Sequence, residues 1–450
     1  MAPLPLIAHT SADAVIAYRA GVPILATQFL ADLTRVAQLL GAGAHVLNAC
    51  ADRYHFTVGL AASLVSGKLS LLPSTHTPEV IRQLTAFAPD VICLTDEVDC
   101  DIDLPRVPFP GAAAAGSASP APVPAIDTAQ LAACVFTSGS TGTPVPHRKS
   151  WGRLIACVRE EANRLGLSGS TCAIVATVPP QHMYGFESSV LLALGCGHAL
   201  CAERPFYPAD IAAVLCAVPR PRILVSTPIH LRALLESGTA LPPADLIVSS
   251  TAPLTPQLAA EVEQRFNTRL LEIYGSTETG QISARRPTHT PEWRLWPGVT
   301  LSVRDGETWA QGGHIEQPTR LCDVLEMTGE ETFLLHGRVA DLVNIAGKRS
   351  SLAYLNQQLN CIPGVLDGAF FHFDDSRASH AGVARVAACV VAPQLDAARV
   401  VQELRRRIDP AFLPRPLLLV ARLPRTSTGK LPQEALRSLA AAHLQSGGIA

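Results

Sequence analysis

The stretch VFTSGSTGTPVPH, residues 135–147, decides how the whole chain is interpreted. Val135 and Phe136 resemble the end of a strand, and TSGSTG over residues 137–142 then places two glycines among four hydroxyl side chains. Pro144 and Pro146 exclude a helix or a central strand directly after this loop. Glycine lets the backbone approach a ligand closely, and converging N–H and hydroxyl groups suit a polyphosphate. This stretch by itself is equally consistent with a flexible Ser/Gly loop.

Composition and charge limit the classes of protein to which the chain can belong. Its 450 residues are 48% hydrophobic with a net charge of −2, which predicts two or three domains and no nucleic-acid or anionic-membrane partner. Twelve scattered cysteines without a CxxC pattern indicate core thiols in a reducing cytosol. The chain shows no basic leader and no apolar run of bilayer length, so we expect a soluble cytoplasmic protein.

Strand-like and helix-like segments alternate through most of the chain, which is typical of a doubly wound α/β sheet. Residues 104–126 have the Pro/Ala/Gly/Ser composition of a linker, and short alternating runs at about 290–336 indicate a small β-rich subdomain. We therefore predict an α/β fold in two parts. Residues 1–339 form a large N-terminal domain of doubly wound sheets and helices, and residues 340–450 form a smaller α+β domain.

Seven separated stretches, in order, resemble the motifs of the adenylate-forming enzymes. This family includes acyl- and aryl-CoA synthetases, carrier-protein ligases, nonribosomal adenylation domains and luciferases. The stretches are TSGSTGTP (137–144), PQHMYGFE (180–187), SSTAPL (249–254), YGSTE (274–278), TRLCD (319–323), HGRVADLVNIAGKR (336–349) and LPRTSTGK (423–430). The resemblance makes residues 1–339 an adenylation core and residues 340–450 a mobile lid.

The resemblance implies that a carboxylate attacks the α-phosphate of ATP, releasing pyrophosphate, and that the acyl group then passes to a phosphopantetheine thiol. The phosphates would be held by Thr137, Ser138, Gly139, Ser140, Thr141 and Gly142. The adenine would contact Tyr274, Glu272, Ser250, Thr251, Ala252 and Pro253, and the ribose Asp323 and Arg338. Two anions must meet in this reaction, so positive charge and fixed donors are needed where negative charge develops.

Four residues carry the chemistry that the resemblance implies. Thr277 would donate to the α-phosphate and Glu278 would carry Mg²⁺, a cation that favours carboxylate and phosphate oxygens. Lys430 would bridge the substrate carboxylate and the α-phosphate, and His182 would gate the acyl site. The acyl pocket would be lined by His182, Tyr184, Gly185, Phe186, Gly275 and Ser276. The C-terminal domain would swing between the two half-reactions, presenting Lys430 for the first and the turn around Gly347 for the second.

The chain departs from the family pattern at two charged positions. Val145 stands where relatives usually carry lysine, with Lys149 or Arg148 as candidates to replace it. Ala340 stands at the usual hinge residue, with Asp341 beside it. These departures keep open a degenerate, non-catalytic nucleotide-binding protein as an alternative. A P-loop kinase is excluded because the GxxxxGK spacing is absent.

The stretch 181–187 bears on the acid that is activated. It lacks the Asp with which amino-acid-activating relatives hold an α-amino group, and it resembles the aryl- and acyl-activating branches. We predict an aryl acid such as 3- or 4-hydroxybenzoate, loaded onto an acyl carrier protein as in aryl polyene and xanthomonadin pigment biosynthesis. Coenzyme A as the acceptor, and a short- or medium-chain acyl-CoA synthetase, remain alternatives.

Overall fold

The structure is a computed structural model that describes residues 2–111, 122–138, 144–304, 306–338, 342–345, 348–373, 385–426 and 431–445. One segment, Phe186–Leu191, is π-helical. The helices are α1 (Ala26–Leu39), α2 (Arg53–Val65), α3 (Pro78–Phe87), α4 (Trp151–Leu165), α5 (Met183–Gly185), α6 (Leu192–Cys196), α7 (Pro208–Ala217), α8 (Pro228–Glu236), α9 (Pro256–Phe266), α10 (Leu352–Asn360), α11 (Ala397–Leu404) and α12 (Gln433–Gln445).

Single strands or short runs of strands alternate with these helices up to residue 276. Between residues 280 and 351 the described strands follow one another, and helices return from residue 352 onwards. Those of the first part are β1 (Leu4–Pro5), β2 (Val15–Arg19), β3 (Val22–Leu25), β4 (His45–Asn48), β5 (Leu69–Leu72), β6 (Ile92–Thr95), β7 (Arg106–Pro108), β8 (Ala125–Ile126), β9 (Leu131–Ser138), β10 (Pro144–Ser150), β11 (Ala173–Ala176), β12 (Ala199–Cys201), β13 (Arg222–Ser226), β14 (Leu246–Ser249) and β15 (Arg269–Ser276). The later strands are β16 (Gly280–Arg285), β17 (Trp293–Leu295), β18 (Val299–Arg304), β19 (Glu307–Gly312), β20 (Thr319–Arg320), β21 (Asp323–Met327), β22 (Thr332–Arg338), β23 (Leu342–Ile345), β24 (Lys348–Ser351), β25 (Asp367–Phe373), β26 (Arg385–Val391) and β27 (Leu417–Leu419).

The first large sheet has six strands in the order β10-β9-β5-β4-β6-β7. All neighbours are parallel except the β9–β10 hairpin. Because β10 is an edge strand, it tolerates Pro144 and Pro146, which cannot donate to a ladder. The predicted linker at 104–126 contains two short strands, β7 and β8. Residues 112–121 within it lie outside the described chain.

The second large sheet has eleven strands in the order β21-β22-β17-β16-β15-β14-β13-β11-β12-β2-β3. Its central strands are parallel, and β13 and β14 are buried along their whole length, as expected for strands covered on both faces. One apolar core cluster takes residues from both large sheets and from α1, α2 and α4. The second cluster lies under α7, α8 and α9. The carboxyl ends of β14 and β15 therefore project from a rigid scaffold, where open α/β sheets bind ligands.

The predicted β-rich segment at about 290–336 is divided between two sheets. Strands β17, β21 and β22 extend the eleven-stranded sheet, whereas β18, β19 and β20 form a separate antiparallel sheet. This division places Asp323, at the start of β21, on the same sheet as the YGSTE stretch.

The C-terminal part has its own sheet, β25-β26-β27, packed with α10, α11 and α12. Two apolar clusters stabilise it, one around Phe370 and Val400 and one around Phe371 and Leu436. The predicted fold class is confirmed, with a large N-terminal domain of sheets and helices and a smaller C-terminal domain. The boundary at residues 339 and 340 stays a prediction, because both residues lie outside the described chain. Within the described ranges, none of the helices has the length and apolar character to cross a membrane.

Candidate active site

The stem of the hydroxyl-rich loop meets the acid of the YGSTE stretch. Thr137 lies near the end of β9, and its Oγ1 is 2.9 Å from His147 Nε2 on β10. His147 Nε2 is in turn 3.7 Å from Glu278 Oε1. Burial lowers the pKa of His147, and the Glu278 carboxylate opposes that change. The β9–β10 hairpin and Glu278 therefore face one cleft, although Gly139, Ser140, Thr141, Gly142 and the side chain of Ser138 lie outside the described residues.

Lys149 contacts the backbone of Glu278. Its Nζ donates to the Glu278 carbonyl at 2.8 Å, and the residue is only 5% exposed. Burial lowers the pKa of Lys149, while Glu187 and Cys157 act in the opposite direction. Val145 and Arg148 are exposed. Of the two cations predicted to replace the missing lysine, Lys149 is thus the one that contacts Glu278, through its backbone.

Glu278 is suited to hold a divalent cation together with phosphates. Its side chain is 39% exposed in the cleft. Among the described ranges, no group of three or more His, Cys, Asp or Glu side chains could hold a metal ion. Mg²⁺ is usually bound by one or two carboxylates plus substrate phosphates and water, which matches a single carboxylate beside a phosphate loop.

The nucleoside end of the predicted site lies on β15, the strand that leads into the turn with Glu278. Tyr274 Oη donates to Asp323 Oδ2 at 2.8 Å, so the predicted adenine and ribose residues touch each other. Asp323 pairs with Arg338 across β21 and β22, although the Arg338 side chain is outside the described part. Ser250 Oγ donates to the Ile273 carbonyl at 2.9 Å, which holds the 250–253 turn against β15.

Thr251 in that turn has φ +79°, a left-handed conformation that is uncommon for a β-branched residue. Ala252 and Pro253 follow it at the surface of the turn. Backbone strain of this kind persists where the surrounding structure imposes it, often at ligand sites. Ser250 holds this turn beside Tyr274, and its contact with adenine stays a prediction.

Glu272 is bound to other residues of the protein. Its carboxylate pairs with Arg285 at 2.7 Å and accepts from the Leu254 backbone N–H at 3.0 Å. Burial raises the pKa of Glu272, and Arg285 opposes that rise. We predicted an adenine contact for Glu272, but the structure gives both carboxylate oxygens protein partners and favours a role in fixing the 250–253 turn.

Most of the predicted acyl-pocket residues lie in the core or in the turn. Tyr184 Oη donates to the Val248 carbonyl at 2.9 Å, and Phe186 packs edge-on against Phe56. A Cβ on Gly185 would lie 2.1 Å from the Pro179 carbonyl oxygen, so glycine is required by close packing. His182 is half-buried at the start of α5 and remains a candidate gate.

Gly275 and Ser276 begin the turn that carries Thr277 and Glu278. A Cβ on Gly275 would lie 2.3 Å from the Gly280 carbonyl oxygen, and the Ser276 and Thr279 hydroxyls are 3.1 Å apart. Thr277 is partly buried between Ser276 and Glu278. The predicted catalytic pair is therefore held on a tightly closed turn. Lys430 lies outside the described residues.

A small pocket lies beneath this turn, and its lining residues had no predicted role or a different one. It is lined by Lys149, Arg153, Leu154, Cys157, Met183, Glu187, Thr279, Gly280, His314 and Glu316. A signal for Glu187 was present, because a charged residue stands alone among the buried apolar residues of this helical segment. Lys149 was noticed in the sequence for another reason, as a candidate to replace the lysine missing at Val145.

Two buried carboxyl groups beside the pocket have strongly shifted pKa values. Burial raises the pKa of Glu161 to about 8 and that of Glu187 to about 7, with Lys149 opposing the rise at Glu187. Both residues are almost completely inaccessible to water, and Glu161 does not line the pocket. An ionised carboxylate in such a place destabilises the folded protein.

Replacing Glu161 by glutamine is expected to stabilise the protein increasingly as pH rises. The unfolded carboxyl ionises near 4.5 and the folded one near 8, so the contribution of Glu161 is complete below 4.5 and is lost as pH rises through 8. The gain in unfolding free energy at pH 8 over that at pH 5 should be roughly 3 kcal/mol. Thermal unfolding of both proteins at the two pH values measures it, and an equal difference at both would contradict the assignment.

Comparisons with known proteins identify the family of the chain. Residues 22–314 match the family of the AMP-binding enzyme. The chain is 32% identical over 238 residues to a 4-coumarate–CoA ligase of Rhodobacter capsulatus, covering 52% of this chain and 59% of that ligase. It is 30% identical over 308 residues to a 4-coumarate–CoA ligase of Halorhodospira halophila, covering 66% of this chain and 73% of that ligase.

Two solved structures share the fold over almost the whole chain. One is ATP-bound MatB from Rhodopseudomonas palustris, with a TM-score of 0.82, 20% identity and 96% of each chain covered. The other is O-succinylbenzoate coenzyme A synthetase from Bacillus subtilis in complex with AMP, with a TM-score of 0.78, 17% identity and coverage of 95% of this chain and 96% of that one. The family match, which covers more than half of the residues, identifies the protein: it belongs to the AMP-binding enzymes.

Proposed function

We propose that the protein is an ATP-dependent acid–thiol ligase that works through an acyl-adenylate. A carboxylate oxygen of the substrate attacks the α-phosphorus, and the bond from that phosphorus to pyrophosphate breaks. The thiol sulfur then attacks the acyl carbon, AMP leaves, and the thiol proton passes to solvent. The family match and the similarity to CoA ligases support this assignment.

The observation that carries the proposal is that residues 274–278 contact a predicted nucleoside-binding residue at one end and the β9–β10 hairpin at the other. At one end Tyr274 contacts Asp323, and at the other Glu278 faces His147, which contacts Thr137. A nucleotide lying along this segment would have its adenosine at Tyr274 and its phosphates at Glu278. Thr277 would then donate to the α-phosphate between the two ends.

The remaining residues take their proposed roles from this placement. Mg²⁺, when bound, would neutralise phosphate charge, and Glu278 would hold it. Lys430 would come from the C-terminal lid to the reacting carboxylate, and His182 would gate the entrance for the acid and the thiol. The division into a core, residues 1–339, and a lid, residues 340–450, belongs to the same proposal, with Asp341 as the candidate hinge residue.

The substrate we propose is an aryl acid such as 3- or 4-hydroxybenzoate, and the acceptor is an acyl carrier protein of a cytoplasmic pigment pathway. Similar proteins are named as ligases of 4-coumarate, 4-chlorobenzoate and indoleacetate, all of which are aromatic acids. Those relatives are named as coenzyme A ligases, so coenzyme A is the second candidate acceptor.

Pyrophosphate exchange across a panel of acids tests the proposal. We expect exchange with hydroxybenzoates or 4-coumarate and much less with short- and medium-chain fatty acids. Single-turnover transfer to coenzyme A and to a phosphopantetheinylated carrier protein then ranks the two acceptors. Strong exchange with fatty acids alone would favour an acyl-CoA synthetase. If ATP binds but no acid supports exchange, the protein is a non-catalytic nucleotide-binding protein.

A further inference from the structure

Arg53 is a fully buried cation that binds both ends of one segment of the proposed active site. It is the first residue of α2 and is 0% exposed. Its Nη2 donates to the carbonyls of Ala176 and Val178 at 2.8 and 2.9 Å, and its Nη1 donates to Ser189 Oγ at 2.7 Å. Residues 177–189, which we call the His182 segment, therefore begin and end at the same guanidinium.

The charge of Arg53 is placed against backbone and hydroxyl oxygens. The carboxylate of the neighbouring Asp52 pairs with Arg19 instead, and Arg53 Nε has no hydrogen-bond partner among the described residues. Burial lowers the pKa of Arg53 to about 10, so the guanidinium stays charged at pH 7. Burying a charge costs free energy, and an apolar side chain would fill the same space without that cost. An arginine here therefore points to a positional role for its three hydrogen bonds.

Short contacts inside the His182 segment connect His182 to these anchoring points. The His182 backbone N–H donates to the Pro179 carbonyl at 3.3 Å. Ser189 Oγ, which accepts from Arg53, itself donates to the Gly185 carbonyl. Gly185 packs so closely against Pro179 that a Cβ would lie 2.1 Å from the Pro179 carbonyl oxygen. Both limbs of the segment therefore lead from His182 back to Arg53.

Helix α2 joins this segment to the other large sheet. The helix follows β4 of the six-stranded sheet and packs against β4, β5 and β9. The Arg53 backbone N–H donates at 2.8 Å to the carbonyl of Ala202, which directly follows β12 of the eleven-stranded sheet. Strand β9 leads to Thr137 and the proposed phosphate site, whereas the His182 segment follows β11 of the eleven-stranded sheet. Arg53 thus connects the side of the site proposed for ATP phosphates with the side proposed for the acid.

Resting on the proposed function, we propose that Arg53 is a positioning residue for adenylate formation. It touches neither substrate, and it holds the His182 segment where the acid carboxylate meets the α-phosphate. A displacement of about 1 Å between reacting groups can lower a rate by about 100-fold. Arginine suits this role because its planar guanidinium carries several donors in a fixed arrangement, which reach both limbs of the segment at once.

The test measures kcat and KM for ATP in pyrophosphate exchange. In Arg53→Met, kcat should fall by about 30- to 100-fold, because the acid is no longer aligned with the α-phosphate. KM for ATP should stay unchanged, because the residues proposed for the nucleotide keep their contacts. Arg53→Lys should recover part of the loss, since its ammonium can bind the carbonyls of one limb. Ser189→Ala, which keeps the charge and removes one of the three bonds, should lower kcat by a smaller factor and serves as the test if Arg53→Met does not fold.

Arg222→Met is the matched control. Arg222 is 8% exposed, and its guanidinium also donates to backbone carbonyls, those of Leu215, Val218 and Pro243. It begins β13 at the amino end of the parallel strands, opposite the carboxyl end at which Arg53 binds β11. Its loss should lower the melting temperature, as the loss of Arg53 does, but should leave kcat unchanged.

The reactivity of His182 towards diethyl pyrocarbonate is a second measurement, and it needs no turnover. Peptide mass spectrometry follows the modification of the half-buried His182 relative to the exposed His289 in the same sample. We expect His182 to react several times faster in Arg53→Met, because the segment loosens, and at the original rate in Arg222→Met. Equal effects of the two methionine variants on kcat and on His182, or no effect of Arg53→Met on either, would overturn the inference. Faster reaction of His182 without exchange from any acid would refute the proposed function alone.

Discussion

Glu278→Gln is expected to lower pyrophosphate exchange by about 100- to 1,000-fold, the usual effect of removing one preorganised electrostatic group. The substitution keeps the size of the side chain and leaves the Lys149 contact intact, because Lys149 binds the backbone carbonyl of residue 278. It removes the negative charge that would hold Mg²⁺ against the phosphates. Initial exchange rates at saturating ATP and acid, measured as Mg²⁺ is varied, should show an increased requirement for Mg²⁺.

Glu261→Gln supplies the matched control for this experiment. Glu261 lies on the exposed side of α9, away from the cleft, and its replacement makes the same chemical change. Exchange should stay within about twofold of the original rate, as is usual for surface substitutions. If Glu278→Gln also retained its rate, the assignment of the YGSTE acid to the phosphates would be wrong.

Lys430→Ala is expected to lower adenylate formation by about 100- to 1,000-fold, because the two reacting anions lose the cation that bridges them. Transfer from a supplied synthetic acyl-adenylate to the thiol should stay within about threefold, since in the proposed cycle Lys430 is withdrawn for that step. Only four of the 36 basic residues are lysines, and one of them occupies the last position of the TSTGK stretch. Rapid-quench measurement of each half-reaction separates the two effects.

Arg437→Ala controls for the loss of one positive charge from the C-terminal domain. Arg437 is exposed on α12, a few residues beyond the lysine. Neither half-reaction should change by more than about twofold. Equal losses in both half-reactions of Lys430→Ala would show that the lysine supports the fold or nucleotide binding in general, and would remove the bridging role.

The alternation of strands and helices was predictable because burial on both faces of a parallel sheet demands continuous apolar runs. Residues 223–225 and 246–248 are such runs, and both lie in wholly buried central strands. The proximity of Thr137 to Glu278 was not visible in any local pattern. It was suggested by the family resemblance, and in the structure His147 contacts both residues.

The pocket residues were not predictable from helical periodicity. The segment Phe186–Leu191 is π-helical, so its faces do not follow the repeat of an α-helix. Tyr184 and Phe186 enter the core, whereas Met183 and Glu187 line the pocket. His314 comes from a loop far along the chain, and nothing in its own neighbourhood distinguishes it.

The role of Glu272 depended on strand register. In the β15–β16 hairpin, a register shift between Tyr274 and Gly275 places Glu272 opposite Arg285. Glu272 and Arg285 therefore form a buried ion pair. The family resemblance had instead suggested that Glu272 contacts adenine. A sequence gives the two charges, but only the register of the hairpin shows that they meet.

An isotope-transfer experiment tests most directly whether this cleft joins a carboxylate to the α-phosphate. The carboxylate of the acid is labelled with a heavy oxygen isotope. This acid is incubated with the protein, ATP, Mg²⁺ and the acceptor thiol, and mass spectrometry measures the label in each product. Attack on the α-phosphorus leaves one labelled oxygen in AMP and none in pyrophosphate. Labelled inorganic phosphate formed together with ADP, or AMP without label, would contradict the account.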